Sequence, residues 1–197
     1  MKVLLVGATG TIGSAVDALL VRHDHEVVRV GHSRGDVQVD LADKASIEAM
    51  YMKVGGVDAV VSTAGIARFG PLQELSDEDF EFSLHHKLMG QVNLVRLGLP
   101  FVAEGGSFTL TSGTLSQDPT PGTVAVAMVG GALESFVKAA ALDLSPAHRI
   151  NIVSPGWVRE TMEAMGMDPS PGTPAADVAK AYLDVLHGEG TGETVLV

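Results

Sequence analysis

The 197-residue sequence predicts a three-layer α/β fold, in which a doubly wound, mostly parallel sheet of seven strands is covered by helices on both faces. Short β-rich runs alternate with longer helical stretches along the chain, which is typical of a parallel sheet. Most of the β-rich runs are continuously apolar, as strands buried on both faces require. A chain of this length also favours one domain, which we expect to span residues 1–197.

The seven predicted strands are short runs bounded by glycine or polar residues. In chain order they are residues 2–6, 26–30, 37–39, 58–61, 106–111, 149–153 and 193–196. The link between the second and third strands is short, because a parallel crossover usually needs a dozen or more residues and only Gly31 to Asp36 is available. Either a loop replaces the usual helix there, or residues 37–39 do not pair in the sheet.

Five predicted helices lie between these strands, at residues 11–23, 43–53, 77–98, 123–144 and 175–187. Asp43 is a candidate N-cap for the second helix. Ser76 and Asp79 are spaced to form a capping box at the start of the third helix. The last helix is bounded by Pro174 at its start and by Gly188 just past its end.

Composition and charge exclude several classes of function. The formal net charge is −11, which disfavours nucleic acid and anionic membranes as partners because both require a basic face. The chain has no cysteine, so it has no disulfide, no thiol nucleophile and no cysteine-ligated zinc. No apolar run in the sequence approaches the ~20 residues of a membrane span. We therefore expect a cytoplasmic protein that binds neither nucleic acid nor membranes.

A glycine-rich segment, Gly7-Ala8-Thr9-Gly10-Thr11-Ile12-Gly13, directly follows the first strand and opens the first helix. In this context Gly7 allows a tight turn, Gly10 lets the backbone approach a pyrophosphate, and Gly13 lets helix and strand pack closely. The helix N-terminus adds free N–H groups and a positive dipole end. The motif predicts a Rossmann-type dinucleotide site formed by Gly7, Thr9, Gly10, Thr11, Ile12 and Gly13. The alternative is a glycine-rich turn that binds no ligand.

The end of the second strand bears on the choice of cofactor. NAD-binding chains usually carry an Asp or Glu there for the ribose hydroxyls, whereas this chain continues Gly31-His32-Ser33-Arg34. Ser33 and Arg34 could instead hold a 2′-phosphate, Arg34 through its charge and forked hydrogen bonds. We therefore predict NADP as the cofactor. NAD remains the alternative, in which Arg34 is only a solvated loop residue.

With these motifs in place, the sequence resembles the short-chain dehydrogenase/reductase family over nearly its full length. Asp40-Leu41 resembles the family's pair beside the adenine, and Ser62-Thr63-Ala64-Gly65 resembles its Asn-Asn-Ala-Gly turn with the first two residues changed. Ser154-Pro155-Gly156-Trp157-Val158 resembles the segment along the nicotinamide. The resemblance adds these residues to the expected cofactor site: Asp40, Leu41, Thr63, Ala64, Gly65, Pro155, Gly156 and Val158.

The resemblance fails at the residues that carry the family's reaction. That reaction depends on a Tyr acid/base, a Lys four residues later, a Ser and an Asn. Aligned on the helix that ends at Leu144, the Tyr position falls on Val126 and the Lys position on Gly130. Val126 cannot donate a proton. The two tyrosines of the chain, Tyr51 and Tyr182, lie on helices that we expect to be away from the site.

Ser112 and Lys87 are the best candidates near the reacting centre. The family's Ser position falls on Gly113, next to Ser112, and its Asn position falls on Lys87. Ser112, with Thr114 and Ser116, lies at or just after the carboxyl end of the fifth strand, where ligands bind in such sheets. A hydroxyl from this group together with Lys87 could polarise a carbonyl.

Two histidines precede Lys87 on the same helix. Adjacent helical residues diverge, so we expect at most one of His85, His86 and Lys87 to face the site. Consecutive histidines with no acidic partner are a poor metal site, and we predict no metal.

The sequence thus favours a short-chain dehydrogenase-like, NADP-dependent oxidoreductase that acts on a small carbonyl or alcohol. Because the Tyr and Lys are absent, two alternatives stay open: an NADP(H)-binding regulator or scaffold without turnover, and a non-redox lyase or cyclase on the same fold. The resemblance also implies a homodimer or homotetramer, formed through helices 77–98 and 123–144.

Overall fold

The sheet of the computed structural model, which describes all 197 residues, contains seven strands. They are β1 (Lys2–Val6), β2 (Glu26–Gly31), β3 (Val37–Gln38), β4 (Val57–Ser62), β5 (Val102–Thr111), β6 (Arg149–Ser154) and β7 (Thr194–Leu196). Their order is β3-β2-β1-β4-β5-β6-β7, and every neighbouring pair is parallel. The α/β prediction is confirmed, with a sheet that is wholly rather than mostly parallel. The chain reverses its direction of travel between β1 and β4, and such switch points are where ligands bind.

Seven α-helices cover the sheet: α1 (Thr11–Arg22), α2 (Lys44–Val54), α3 (Asp77–Ser83), α4 (Gly90–Gly98), α5 (Val124–Leu144), α6 (Arg159–Ala164) and α7 (Ala175–His187). Asp43 caps α2 by accepting a hydrogen bond from the Ala45 N–H, and Ser76 and Asp79 form the predicted capping box on α3. The predicted single helix over residues 77–98 is helical throughout but is not one regular α-helix. A π-helical segment, Leu84–Met89, joins α3 to α4. The sequence analysis also missed α6 and a short 3₁₀ turn at Thr114–Ser116.

The strands are buried on both faces, as their apolar runs predicted. Leu4 and Val6 of β1 belong to a core shared with α2, α4 and α5, whereas Val3 and Leu5 belong to a core shared with α1 and α7. Side chains alternate between the two faces of a strand, so a continuous apolar run supplies both cores.

The short link between β2 and β3 is a loop, which resolves the alternative left open by the sequence. Val30 and Gly31 pair with Val37 and Gln38, so β3 is a genuine but two-residue strand. The loop turns back because Gly35 adopts a φ of +124°, a left-handed conformation that favours glycine.

Helix α5 is apolar and long enough to cross a membrane by length and composition alone, with a mean hydropathy of 1.5 over its best window. Its inward residues Val129, Leu133 and Val137 are fully buried within the protein. The helix contacts β6 and carries the buried acid Glu134. We therefore interpret α5 as a covering helix of the sheet.

Candidate active site

A cleft at the carboxyl ends of the strands consists of two cavities of about 360 and 250 Å³ that share Thr63 and Gly65. The first cavity lies at the ends of β1, β2 and β4. The second lies at the ends of β4, β5 and β6. The cleft thus crosses the point at which the strand order reverses, where doubly wound sheets bind their ligands.

Most of the predicted site residues line one of these cavities. The first is lined by Gly7, Thr9, Gly10, Asp40, Leu41, Thr63, Ala64 and Gly65, and the second by Ile12, Thr63, Gly65, Lys87, Ser112, Val126, Pro155, Gly156 and Val158. Thr11, Gly13, Ser33 and Arg34 line neither cavity. Segments far apart in the chain therefore meet in one cleft, as the resemblance implied.

The glycine loop has the sterics expected for a tight strand-to-helix turn. Gly7 has a φ of +87°, and a Cβ on Gly13 would lie 1.9 Å from the carbonyl oxygen of Gly7. Glycine is therefore required at position 13 by the fold itself. A Cβ on Gly10 would meet nothing closer than 3.4 Å, so the protein leaves open space in front of Gly10, on the wall of the first cavity.

The N-terminus of α1 is open toward the cleft. Its N-cap, Gly10, offers no side-chain hydrogen bond, and the first turn has no acidic residue. By contrast, side chains cap α2 and α3. The first N–H groups of a helix have no acceptor within the helix, so those of α1 are free to bind an anion at its positive end.

The residues that the resemblance assigns to the adenine side differ in their relation to the first cavity. Asp40 and Leu41 line the first cavity, together with His32 and His86, which the sequence analysis did not assign to the cofactor site. Ser33 and Arg34 are exposed on the loop that follows His32, outside the cavity wall. Arg34 takes part in none of the chain's ion pairs. Its guanidinium is therefore exposed and unpaired.

The π-helical segment places two adjacent side chains on the cleft. His86 lines the first cavity and Lys87 lines the second. The expectation that at most one of these histidines and Lys87 faces the site was wrong, because it assumed regular α-helical spacing. A π-helix has wider turns, and such insertions occur frequently at functional sites.

The side chain of Lys87 reaches the second cavity across Gly65. A Cβ on Gly65 would lie 2.8 Å from Cδ of Lys87, and the φ of Gly65 is +119°. Glycine at this position therefore makes room for the lysine stem. This contact explains why a glycine ends the turn that follows β4.

Lys87 is the only ionisable residue that lines the second cavity. It is partly buried, and it takes part in none of the chain's ion pairs. Burial alone lowers the pKa of Lys87 from its ordinary value of 10.5 to about 8. The cavity thus contains a cation that has no counter-ion in the protein.

A buried carboxylate lies directly behind the second cavity. Glu134 of α5 is 8% exposed and accepts hydrogen bonds from Ser112 (2.9 Å), Ser116 (2.6 Å), Gln117 (3.0 Å) and Ser154 (3.3 Å). Burial acts to raise the pKa of Glu134, but the four hydrogen bonds outweigh it and hold the pKa below its usual value. Glu134 therefore stays ionised and ties together the ends of β5 and β6 and the turn between β5 and α5.

Sequence analysis missed Glu134, although a signal was present. Val126, Gly130 and Glu134 are four residues apart and share one face of α5. An acid on the buried face of an otherwise apolar helix requires partners. A Cβ on Gly130 would lie 3.1 Å from the hydroxyl oxygen of Ser112, so glycine allows α5 to approach Ser112 closely.

The hydrogen bond to Glu134 leaves the hydroxyl of Ser112 able only to accept hydrogen bonds from a ligand. The hydroxyl of Ser112 has one hydrogen, which it donates to Glu134. Only its lone pairs remain for a ligand in the second cavity. Thr114 and Thr161 also line this cavity, and neither hydroxyl makes a hydrogen bond within the protein, so both remain free to donate.

Comparison with known proteins agrees with this geometry. A family model described as enoyl-(acyl carrier protein) reductase matches residues 2–191. The oxidoreductase UcpA of Salmonella typhimurium is 26% identical over 206 residues, covering 90% of this chain and 78% of UcpA. The solved structure of lin1944 from Listeria innocua is 42% identical, with a TM-score of 0.94, and covers 100% of this chain and 99% of lin1944. A small-chain dehydrogenase solved in complex with NADPH is 26% identical, with a TM-score of 0.88 and coverage of 100% and 96%.

The chain belongs to the short-chain dehydrogenase/reductase family. Members of this family of oxidoreductases bind NAD or NADP. The residues present here fit such a cofactor, because the open end of α1 suits a pyrophosphate and the space before Gly10 admits it. The first cavity would then hold the adenosine half, and Pro155 and Gly156 would border the nicotinamide.

The departure from the family's catalytic set is also visible in the structure. Val126 lines the second cavity where the resemblance places the tyrosine. Tyr51 is buried in the core and donates to the carbonyl of Leu94. Tyr182 lies closer to the site than expected, because its hydroxyl contacts Thr111 at 2.6 Å. It is 1% exposed, however, and burial raises its pKa, so neither tyrosine replaces the missing acid.

Proposed function

We propose that this chain is an NADP-dependent oxidoreductase that reduces a small, fairly apolar carbonyl compound, or oxidises the corresponding alcohol, with Lys87 in place of the missing tyrosine. One observation carries the proposal. The second cavity opens beside the nucleotide cleft and contains an ammonium group that no protein carboxylate neutralises.

The cofactor, when bound, supplies or accepts the hydride. The remaining chemistry falls to the residues of the second cavity. The Lys87 ammonium donates a hydrogen bond to the substrate oxygen, stabilises the negative charge that develops there, and passes it a proton. A pKa of about 8 suits this role, because an acid works best when its pKa lies near the working pH.

The walls of the second cavity position the substrate. Val126, Leu115 and Trp157 supply apolar surface to this lining. Ser112 presents only acceptor lone pairs, so it can bind the O–H of an alcohol but cannot donate to a carbonyl oxygen. Donation to the carbonyl is therefore left to Lys87.

The proposal of NADP rather than NAD is supported by the loop after β2. No acid stands at the end of β2, and Arg34 lies exposed and unpaired two residues after His32, which lines the first cavity. A guanidinium is suited to a 2′-phosphate. The small-chain dehydrogenase that was solved with NADPH has the same fold at 26% identity.

The decisive experiment is a cofactor titration followed by turnover. NADPH should bind more tightly than NADH, and Arg34→Ala should weaken NADPH binding about tenfold while leaving NADH binding nearly unchanged. Equal losses for both cofactors would remove the NADP assignment.

NADPH oxidation with a panel of aldehydes and ketones then tests the reaction. Lys87→Met should abolish turnover while NADPH binding persists. Tight NADPH binding without any turnover would instead indicate a regulator or scaffold. Substrate conversion without a change in cofactor absorbance would indicate a lyase or cyclase.

A further inference from the structure

The charges that line the second cavity bear on the chemical class of its ligand. The residues that line it include one cation, Lys87, and no acid. The one buried carboxylate of the chain, Glu134, already accepts hydrogen bonds from three serines and a glutamine. No charged group contributes to the pKa shift of Lys87. In a chain of net charge −11, this cation is isolated by the fold, not by a shortage of acids.

An isolated ammonium in a partly buried cavity is unfavourable until it meets an anion. A neutral ketone offers one weak acceptor, whereas an ammonium carries three N–H donors. The hydroxyls of Thr114 and Thr161 line the same cavity and are unused by the protein. The cavity therefore presents more donors than a lone carbonyl oxygen can accept.

We infer that the substrate carries a carboxylate directly beside the reacting carbonyl, which makes it a 2-oxo acid, or the 2-hydroxy acid formed from it, with an apolar side chain. This inference rests on the proposed function. Lys87 would bridge the keto oxygen and one carboxylate oxygen, which lie on adjacent carbons. Thr114 or Thr161 would donate to the other carboxylate oxygen.

The remaining wall accounts for the side chain of such a substrate. Leu115, Val126 and Trp157 are apolar and line the cavity. Phe69, which is 51% exposed, lies with its ring centroid 6.3 Å from that of Trp157 and extends the apolar surface at the rim.

The reduction of a 2-oxo acid needs the same hydride and proton as that of any ketone. The carbonyl carbon gains the hydride, its oxygen gains the proton of Lys87, and solvent returns a proton to the lysine.

Benzoylformate and methyl benzoylformate test the inference, because they share a reducible carbonyl and a phenyl ring and differ in the charge of the carboxyl group. Both are added to the untagged full chain loaded with NADPH, and binding is measured by calorimetry and turnover by NADPH absorbance. We expect benzoylformate to bind about tenfold or more tightly than the ester at pH 7. This preference should fall as the pH rises through 8, since Lys87 then loses its charge.

Three variants separate the role of Lys87 from general effects. Lys87→Met should remove the preference for the acid, Lys87→Arg should retain most of it, and Lys53→Met, which changes an exposed lysine of α2, should leave it unchanged. Thermal unfolding confirms that each variant is folded.

The outcomes distinguish this inference from the proposed function. If the ester binds and is reduced as well as the acid, the substrate class is wrong while the oxidoreductase assignment holds. If the acid binds in a Lys87-dependent way but neither compound is reduced, the ligand class is supported and the proposed reaction fails. If neither compound binds, or if Lys87→Met keeps the preference, the inference is overturned.

Discussion

Replacing Lys87 by methionine is expected to stabilise the protein while removing its function. Methionine keeps an unbranched stem that can lie across Gly65 and removes the unpaired charge. Burial lowers the pKa of Lys87 from 10.5 to about 8, and a shift of that size corresponds to roughly 3 kcal/mol between the two protonation states. Because Lys87 is only partly buried, solvent screening reduces this cost, and we expect a gain of about 1–2 kcal/mol at pH 7.

The stability gained by Lys87→Met should decrease as the pH rises. The folded protein releases the Lys87 proton near pH 8, whereas the unfolded chain keeps it until near pH 10.5. Between these values the unfolded state binds more protons, so the stability of the wild-type protein rises with pH. The advantage of Lys87→Met is therefore fully present below pH 8 and disappears as the pH approaches 10.5.

Calorimetric unfolding of the two proteins from pH 6 to pH 10 measures the effect. For a chain of this size a gain of about 1–2 kcal/mol raises Tm by roughly 2–8 °C. Lys53→Met, on the exposed side of α2, is the control and should change Tm little. A lower Tm for Lys87→Met at pH 7, or an equal gain at pH 7 and pH 10, would refute the account of Lys87 as an isolated, desolvated cation.

Three further predictions follow from the same geometry. Gly13→Ala should lower the free energy of unfolding by about 3 kcal/mol, because its Cβ would meet the Gly7 carbonyl. Gly10→Ala should unfold like the wild type yet bind NADPH poorly in calorimetry. Equal stability of the two variants would contradict this difference between the two glycines. Glu134→Ala should destabilise the protein by about 3 kcal/mol in denaturant unfolding, and Glu134→Gln by clearly less; equal losses would show that its hydrogen bonds contribute little. We also propose a homo-oligomer that covers the exposed apolar face of α5, including Val124, Met128 and Leu142. Light scattering should then give at least twice the 20.4 kDa of one chain, and Met128→Glu should reduce it, whereas a wild-type monomer would exclude such an assembly.

Features encoded by neighbouring residues were predictable. The glycine loop is contiguous, and its steric requirements at Gly7 and Gly13 follow from one strand-to-helix turn. The caps at Asp43 and Ser76 are equally local, because each bonds a backbone N–H two or three residues away. The apolar runs identified the strands because burial on both faces leaves a continuous hydrophobic signature.

Features that depend on packing were missed or misjudged. β5 begins with Val102 and Ala103, but the three residues that follow are Glu104, Gly105 and Gly106. The sequence therefore placed the start of this strand at residue 106, although Val102 already pairs with Val57. The π-helical segment has no composition that separates it from the α-helices on either side. His86 and Lys87 of this segment line two different cavities, which the sequence could not show because the cavities form only when distant segments pack together.

By itself, the order of residues determined the architecture of the sheet, the location of the cleft at the carboxyl ends of its strands and the absence of a tyrosine acid, because each follows from local pattern and spacing. Only the tertiary structure decided the chemistry of the second cavity. Glu134, 22 positions away in the chain, accepts the one hydrogen bond that the hydroxyl of Ser112 can donate, and Lys87 is left without a counter-ion by the way the surrounding elements pack. Proton positions and charge stability depend on distances through space and on loss of solvent, and neither quantity exists until the chain has folded.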